Sequence, residues 1–356
     1  MTRDRAIAEA VETWFAASAR PLPWRTTPRD PWRSFVSEAM LQQTQVARVL
    51  EKFEPFMARF PTPRALAEAD ESEVLAAWSG LGYYRRARNL QRAAREIVEH
   101  HGGEVPEDPE ALRALTGVGR YTAGAVASIV FGRREPIVDG NVHRVVLRLE
   151  GERLVSGSRE AERLSWSRAA ALVDGASSPA GFNEGLMELG ALVCTPRSPS
   201  CLVCPVQKRC RAFASDDPES IPLPKQRTAR RDLFASTVVV RDSRGRLLVE
   251  QRGERGLWAR MWQATTVERD DRHASTVELE AELGVTVNDR ADVFTHVTTH
   301  RDVRFEVWRG TPIPGRRPER GAWRPKRDLE SLPLSNPQRS IVLGDDVRGR
   351  GTAKGV

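Results

Sequence analysis

The sequence predicts two folded domains in series, a mainly α domain over residues 1–214 and a smaller α+β domain over residues 233–345. Three observations carry this. Apolar residues recur at helical spacing through most of the first 213 positions. The stretch 215–232 holds Pro218, Pro222 and Pro224 among scattered charges without periodicity, as a linker does. Beyond it the pattern changes to short β-branched runs bounded by turns. A chain of 356 residues is long enough to bury two such cores.

The elements follow in order. Ile7, Val11, Trp14 and Phe15 share a face and predict a helix over 4–17, broken by Arg20-Pro21-Leu22-Pro23. Trp32 to about Arg48 reads as the next helix. Asp70, with Glu73 three positions on, predicts a capping box for a helix ending near Ser79-Gly80. A long helix runs from Tyr83 to His100 and stops at Gly102-Gly103. Further helices are expected over 109–115, 120–131, 141–150, 158–174 and 182–193. In the second domain, Ala235 to Arg241 and Arg246 to Arg252 read as two strands of a hairpin turning at Asp242-Ser243-Arg244-Gly245. Val277 to Leu283 reads as a helix ending at Gly284. Val303, Phe305 and Val307 share one face of a strand ending at Arg309. The polar, glycine-rich segment 346–356 is expected to be disordered. No internal repeat is visible.

Composition narrows the class. With 40% hydrophobic and 29% charged residues the chain reads as a soluble globular protein. A formal net charge of +7 favours a polyanionic partner, nucleic acid ahead of an anionic membrane surface. Only five of the 55 basic residues are lysines, a skew that a GC-rich genome also produces. Met1 to Trp14 has no apolar core of a signal peptide, and no apolar run is long enough to span a bilayer. A cytoplasmic, nucleoid-associated protein is expected, acting as a monomer.

Four features carry chemistry. Leu115-Thr116-Gly117-Val118-Gly119-Arg120 joins two helices through a Gly-x-Gly turn. Such a turn lets backbone approach a phosphate, which the following helix N-terminus attracts. It is also an ordinary way to turn a chain. Asp139, in Ile137-Val138-Asp139-Gly140-Asn141-Val142, stands at the mouth of the next helix, where an acidic residue is ordinarily an N-cap. Glu38 sits among apolar neighbours in a helix, where a solvated glutamate is the plain alternative. The cysteines are the most specific feature. All four, Cys194, Cys201, Cys204 and Cys210, fall in the loop 194–210 with C-x6-C-x2-C-x5-C spacing. Such a set encloses one tetrahedral ion or one cube-shaped cluster. A single C-x2-C pair favours a cluster, with structural zinc as the physical alternative.

Hairpin, trailing Asp139 and cysteine spacing together resemble the helix-hairpin-helix DNA glycosylase superfamily that carries a 4Fe–4S cluster. Within it, Leu22-Pro23-Trp24-Arg25, Ser37-Glu38-x-Met40-Leu41-Gln42-Gln43-Thr44-Gln45-Val46 and Gly80-Leu81-Gly82-Tyr83-Tyr84 resemble MutY-type adenine glycosylases. The resemblance is specific from about residue 20 to the linker and weaker to about residue 340. Endonuclease III shares the cluster and the hairpin but not these three motifs.

The resemblance implies a base excision repair enzyme that removes adenine opposite 8-oxoguanine or guanine in duplex DNA, with one 4Fe–4S cluster held by the four cysteines. It assigns Glu38 as the general acid that protonates the departing adenine, and Asp139 as the carboxylate that stabilises the positive sugar. Tyr121 and Asn141 would support Asp139. Trp24, Arg25, Leu41 and Glu184 would line the adenine pocket. Gln43 and Tyr83 would wedge into the duplex beside the extruded base. Gly117, Val118 and Gly119 would grip the DNA backbone. Strand nicking by a lysine Schiff base is expected to be absent or weak: Tyr121 and His143 stand where relatives carry lysine, and no lysine occurs between Lys52 and Lys208.

The second domain resembles a Nudix fold whose metal box is degraded. Aligned on Gly284, Val277 and Ala281 replace box residues, and only Glu278 and Glu282 remain. A binding module is expected, reading 8-oxoguanine through Phe294, Thr295 and His296, where relatives carry Phe-Ser-His. The competing readings are a mismatch-binding protein without catalysis and a related glycosylase of other specificity, such as thymine opposite guanine.

Overall fold

Helices of the first unit, which comprises Met1–Ala69 and Arg85–Gln226, begin where short polar side chains take up free backbone N–H groups. The computed structural model describes residues 2–225 and 229–344, so the expected tail 346–356 and part of the expected linker lie outside the described residues. In chain order the helices are α1 (Arg3–Ser18), α2 (Pro31–Leu41), α3 (Val46–Arg59) and α4 (Pro63–Glu68). Next, α5 (Glu71–Ala77) belongs to the second unit. The first unit resumes with α6 (Arg85–His100), α7 (Pro109–Ala114), α8 (Arg120–Ile129), α9 (Gly140–Glu150), α10 (Arg159–Asp174), α11 (Pro179–Leu192) and the short α12 (Arg211–Ala214). Asp30, Thr62, Asp108 and Ser178 cap their helices and are followed by Pro31, Pro63, Pro109 and Pro179, at the position where an N–H is not needed.

One buried cluster unites Ile7 and Val11 of α1, Val142, Val145 and Leu149 of α9, Leu172 of α10, and Phe182, Leu186 and Leu189 of α11. Side chains of this size contribute roughly 1.5–3 kcal/mol each when fully buried. Cys194, Cys204 and Cys210 pack against the edge of the same cluster. The core thus ties the cysteine loop to α9 and α11.

Two expectations in this unit are corrected. The helix expected from Trp32 to about Arg48 is two helices, α2 and α3, parted at a loop in which Gln43 takes a φ of +56°. Arg86 of α6 enforces the break. Its guanidinium donates to the Ala39, Met40 and Gln42 carbonyls and to Thr44 Oγ1, occupying acceptors that a continuing helix would use. The long helix starts at Arg85 and not at Tyr83, which has a φ of +47°.

The second unit comprises Asp70–Tyr84 and Arg227–Val356. The capping box expected at Asp70 is not formed: Asp70 precedes α5, but its side chain accepts no capping bond. The strands are β1 (Arg231–Val240), β2 (Leu247–Gln251), β3 (Trp262–Arg269), β4 (Val285–Val297), β5 (Arg301–Pro312) and β6 (Ala322–Arg324), with helices α13 (Thr276–Leu283), α14 (Lys326–Leu329) and α15 (Asn336–Leu343). They form one sheet of order β4-β5-β1-β3-β2-β6, in which β1 and β5 are parallel and the other neighbours antiparallel. Alternation along β1 sends Leu233, Ala235 and Val239 into a core with α15, and Val238 and Val240 into a core with Leu279 and Leu283 of α13. The expected hairpin is corrected too. β1 and β2 share the isolated bridge Arg241↔Leu247, and β3 lies between them in the sheet. With both faces covered, Gln263 to Val267 of β3 is buried throughout and shows no polar alternation to read.

Candidate active site

Asp139 and Glu38 reach one cavity from two different helix ends. Asp139 is the N-cap of α9: Oδ1 accepts from Val142 N at 2.7 Å and Oδ2 from Asn141 Nδ2 at 3.1 Å. Glu38, near the C-terminal end of α2, is 8% exposed, and its Oε2 has no hydrogen-bond partner. Both line a solvent-open cavity of about 1420 Å³ together with Trp24, Arg25, Leu41, Gln43, Tyr121, Asn141 and Glu184. Each of these residues was singled out from the sequence. The cavity also takes in Arg20, Arg29, Met187 and Glu188, which were not. Their sequence trace is the Glu184/Glu188 pair one helical turn apart, with arginines at 20, 25 and 29 to meet it.

Burial raises both carboxyls, but their hydrogen-bond surroundings differ. Burial pushes Glu38 up to about 7; the nearby Tyr121 hydroxyl opposes this, while the charges of Asp139 and Glu184 add to it. Burial also raises Asp139, but the Val142 N–H and Asn141 hold it back. Glu38 is therefore the group of the pair suited to keep a proton near neutral pH, and Asp139 the one whose charge is supported by donors.

Neighbouring residues fix these positions. Tyr121 Oη donates to Met187 Sδ at 3.3 Å and also bears on Glu38. Asn141 Oδ1 accepts from Arg144 Nη2 at 2.9 Å, and Arg144 Nε donates to the Cys194 carbonyl at 2.8 Å. A hydrogen-bonded path thus runs from Asp139 to the cysteine loop. His143 is not part of the cavity wall. It is buried, with Nδ1 2.8 Å from Ser165 Oγ of α10.

The four cysteines line a second cavity with Val145, Leu149, Leu189, Val193 and Val206. Arg148, 1% exposed, donates to Cys194 Sγ at 3.3 Å and to the Thr195 and Pro196 carbonyls, which holds the loop in place. Among the described residues no group of His, Cys, Asp or Glu is placed to hold a single metal ion. Four cysteine sulfurs around one apolar-walled cavity are a donor set that suits a thiolate-held metal group.

The hairpin joins α7 to α8. Gly117 has a φ of +81°, and a Cβ there would stand 2.6 Å from Asn89 Cβ, so only glycine fits. Thr116 N and Oγ1 both donate to Glu96 of α6, at 2.7 and 2.5 Å. Gly119 caps α8 without a side-chain bond, leaving the first N–H groups of the helix for a ligand.

In the second unit Tyr83 is 48% exposed, with Oη 3.1 Å from Thr299 Oγ1. Phe294, Thr295 and His296 lie in β4. Phe294 stacks on Phe305 at 4.9 Å and His296 lies 5.7 Å from the Trp258 ring, while Thr295 is exposed on the opposite face. The two remaining Nudix-box acids are already engaged, Glu278 with Arg272 and the Ser275 cap, Glu282 with Arg269.

Comparison with known proteins agrees with this geometry. Residues 36–170 match the HhH-GPD superfamily of base excision DNA repair proteins, and residues 236–343 match the NUDIX domain. The chain is 33% identical to a rat adenine DNA glycosylase, with 96% of this chain and 78% of that protein aligned. It is 46% identical to the human adenine DNA glycosylase over 56% of this chain, a match that spans 38% of the human protein. Among solved structures, a thermostable thymine-DNA glycosylase superposes with a TM-score of 0.54 at 29% identity, covering 60% of this chain and 97% of that one.

Proposed function

Because this chain belongs to the adenine DNA glycosylase family, we propose that it hydrolyses the N-glycosidic bond of adenine mispaired with 8-oxoguanine or guanine in duplex DNA. The observation that carries this reading is the pair Glu38 and Asp139 on one cavity wall: burial raises both, pushing Glu38 to about 7, while the Val142 N–H and Asn141 partly offset it at Asp139. An extruded adenosine entering the cavity would meet Glu38 still protonated near pH 7. Proton transfer to the base turns adenine into a neutral leaving group, and the C–N bond breaks with positive charge building on the sugar. Asp139, oriented by Val142 N and Asn141, would stabilise that charge. Glu38, now deprotonated, would take a proton from the attacking water.

Strand nicking has no support here. Among the described residues no lysine lines the cavity, Tyr121 bears on Glu38, and His143 lies against Ser165 outside the cavity wall. The hairpin around Gly117–Gly119 and the open start of α8 would grip a DNA phosphate. Gln43, exposed at a positive φ beside the cavity, and Tyr83 would wedge the duplex. Cys194, Cys201, Cys204 and Cys210 would hold one 4Fe–4S cluster, whose contribution is to brace the loop that carries Lys208, Arg209 and Arg211.

The NUDIX-like unit would read the base opposite adenine through His296 and Phe294, with Thr295 on the strand's other face. Base release from duplexes carrying adenine opposite 8-oxoguanine, adenine opposite guanine and thymine opposite guanine tests the whole reading. Thymine release without adenine release would replace it with the specificity named by the structurally similar enzyme.

A further inference from the structure

Glu184 and Glu188 stand one turn apart on α11, a spacing at which like charges ordinarily destabilise a helix. Here three arginines separate and fill them. Glu188, 2% exposed, accepts from Arg20 N at 3.2 Å, Arg20 Nε at 2.6 Å, Arg20 Nη2 at 2.9 Å and Arg25 Nη2 at 3.1 Å. Glu184 accepts from Arg25 Nε at 2.9 Å and from Arg29 Nη2 at 2.5 Å. Arg25 also donates to the Arg20 carbonyl at 3.0 Å, and its guanidinium lies 5.0 Å from the Phe15 ring. Burial works against the Glu188 charge, yet the Arg20 and Arg25 hydrogen bonds bring the group down to about 2.

The arrangement closes a short loop. Glu188 grips both ends of Arg20-Pro21-Leu22-Pro23-Trp24-Arg25, the backbone N–H at one end and the guanidinium at the other. Trp24 and Arg25 of that loop line the same cavity as Glu38. Glu188's own oxygens are taken up by arginine, so it has little left to offer a base. Glu184, which accepts one bond each from Arg25 and Arg29, is the less heavily occupied carboxylate of the two.

We infer that Glu188 is a positioning residue for base selection: by clamping Arg20 and Arg25 it fixes the Glu184–Arg29 pair at the spacing that fits the amino edge of a purine. This rests on the adenine reading above. A purine with an exocyclic amine beside a ring nitrogen presents donor and acceptor side by side. A carboxylate next to a guanidinium is complementary to that edge only while the rigid arginine fork is held in register. A displacement of about 1 Å in such a site lowers rates on the order of 10²-fold.

The test compares wild type with Glu188→Gln, an amide of the same shape. Single-turnover release of adenine and of unsubstituted purine is measured in the same duplex across a pH series, with the affinity for a duplex bearing an abasic analogue as control. Glu188→Gln is expected to release adenine on the order of 10²-fold more slowly. It should lose most of the preference for adenine over purine and bind the abasic duplex like wild type. The alkaline limb of its pH profile should move down, because an Arg25 charge no longer neutralised by Glu188 drives the proton from Glu38. Should that variant fail to fold, Arg20→Gln removes the other half of the clamp and should shift the same two readouts. An unchanged adenine-to-purine ratio with an unmoved limb, whatever the melting temperature, overturns the inference. Wild-type protein that releases no adenine from any duplex overturns the underlying reading instead, before any variant is compared.

Discussion

A Cβ placed on Gly190 would lie 2.6 Å from the Cβ of Asn141, so α11 and α9 meet backbone to backbone immediately beside Asp139. The Gly190 carbonyl also accepts from Arg144 Nη2 at 2.8 Å, the same nitrogen that holds Asn141 Oδ1. Gly190→Ala must therefore push Asn141 off Asp139. Overpacking of this kind costs about 1–3 kcal/mol. The expected outcome is a lower melting temperature together with a loss of adenine release larger than that loss of stability explains. A variant that is destabilised but fully active at low temperature would show that Asn141 tolerates the shift.

Glu38→Gln is expected to bind mismatched duplex about as well as wild type and to release essentially no adenine. Loss of a general acid typically costs about 10²–10⁴-fold. In wild type the rate should fall as pH rises through about 7, where Glu38 ionises.

The same raised group makes a stability prediction of definite sign. A carboxyl at about 7 in the fold and 4.5 unfolded favours the fold while protonated. That contribution is complete below the unfolded value and is lost as pH rises through about 7. Above pH 7 the folded protein carries a buried carboxylate, and Glu38→Gln should be the more stable protein by roughly 1–3 kcal/mol. Thermal melts of both proteins at pH 5 and pH 8 check this, and a gap that does not widen with pH would contradict it.

Asp139→Asn should lose most activity, because an amide cannot offset the charge that builds on the sugar. It should keep most of its stability. An asparagine side chain can still accept from Val142 N, and Asn and Asp serve almost equally as N-caps. A variant that melts early yet retains activity would confine Asp139 to capping α9.

Protein purified without oxygen should carry four irons and broad visible absorbance. Cys204→Ser should reduce duplex affinity more than the rate of the bound complex, since the loop it anchors bears Lys208, Arg209 and Arg211. Stoichiometric zinc in place of iron would reverse the assignment of the site.

His296→Ala should lower the preference for 8-oxoguanine over guanine opposite adenine while leaving adenine removal largely intact. Thr295→Ala should do less, since Thr295 lies on the face of β4 opposite Phe294 and His296. Point substitution suits this question better than truncation after the linker, because Asp70–Tyr84 belongs to the same unit as β4. Single-turnover rates on the two duplexes decide it, and equal ratios in wild type and His296→Ala would remove the damage-reading role.

By itself the sequence determined the helical character of the first unit, the α+β character of the second, the hairpin glycines and the cysteine spacing, and it pointed to Glu38 and Asp139 through motifs that resemble a known family. Each is a local pattern: an apolar period, a glycine turn, a short motif, or ligands within a few residues of one another. Tertiary structure decided what depends on partners far along the chain. Arg86 divides α2 from α3 by filling carbonyls at residues 39–42, and no short window contains both sides of that contact. β3 lies between β1 and β2 with both faces buried, which removes the alternation that marks a half-exposed strand. Glu188 and Arg20 look like surface charges in sequence, yet they are closed into a cavity wall because α11 packs against α1 and brings its glutamates to the Arg20–Arg25 loop. The pull of Glu38 toward neutral pH has the same origin: it arises from burial and from Asp139 and Glu184, neither of which is a neighbour until the chain has folded.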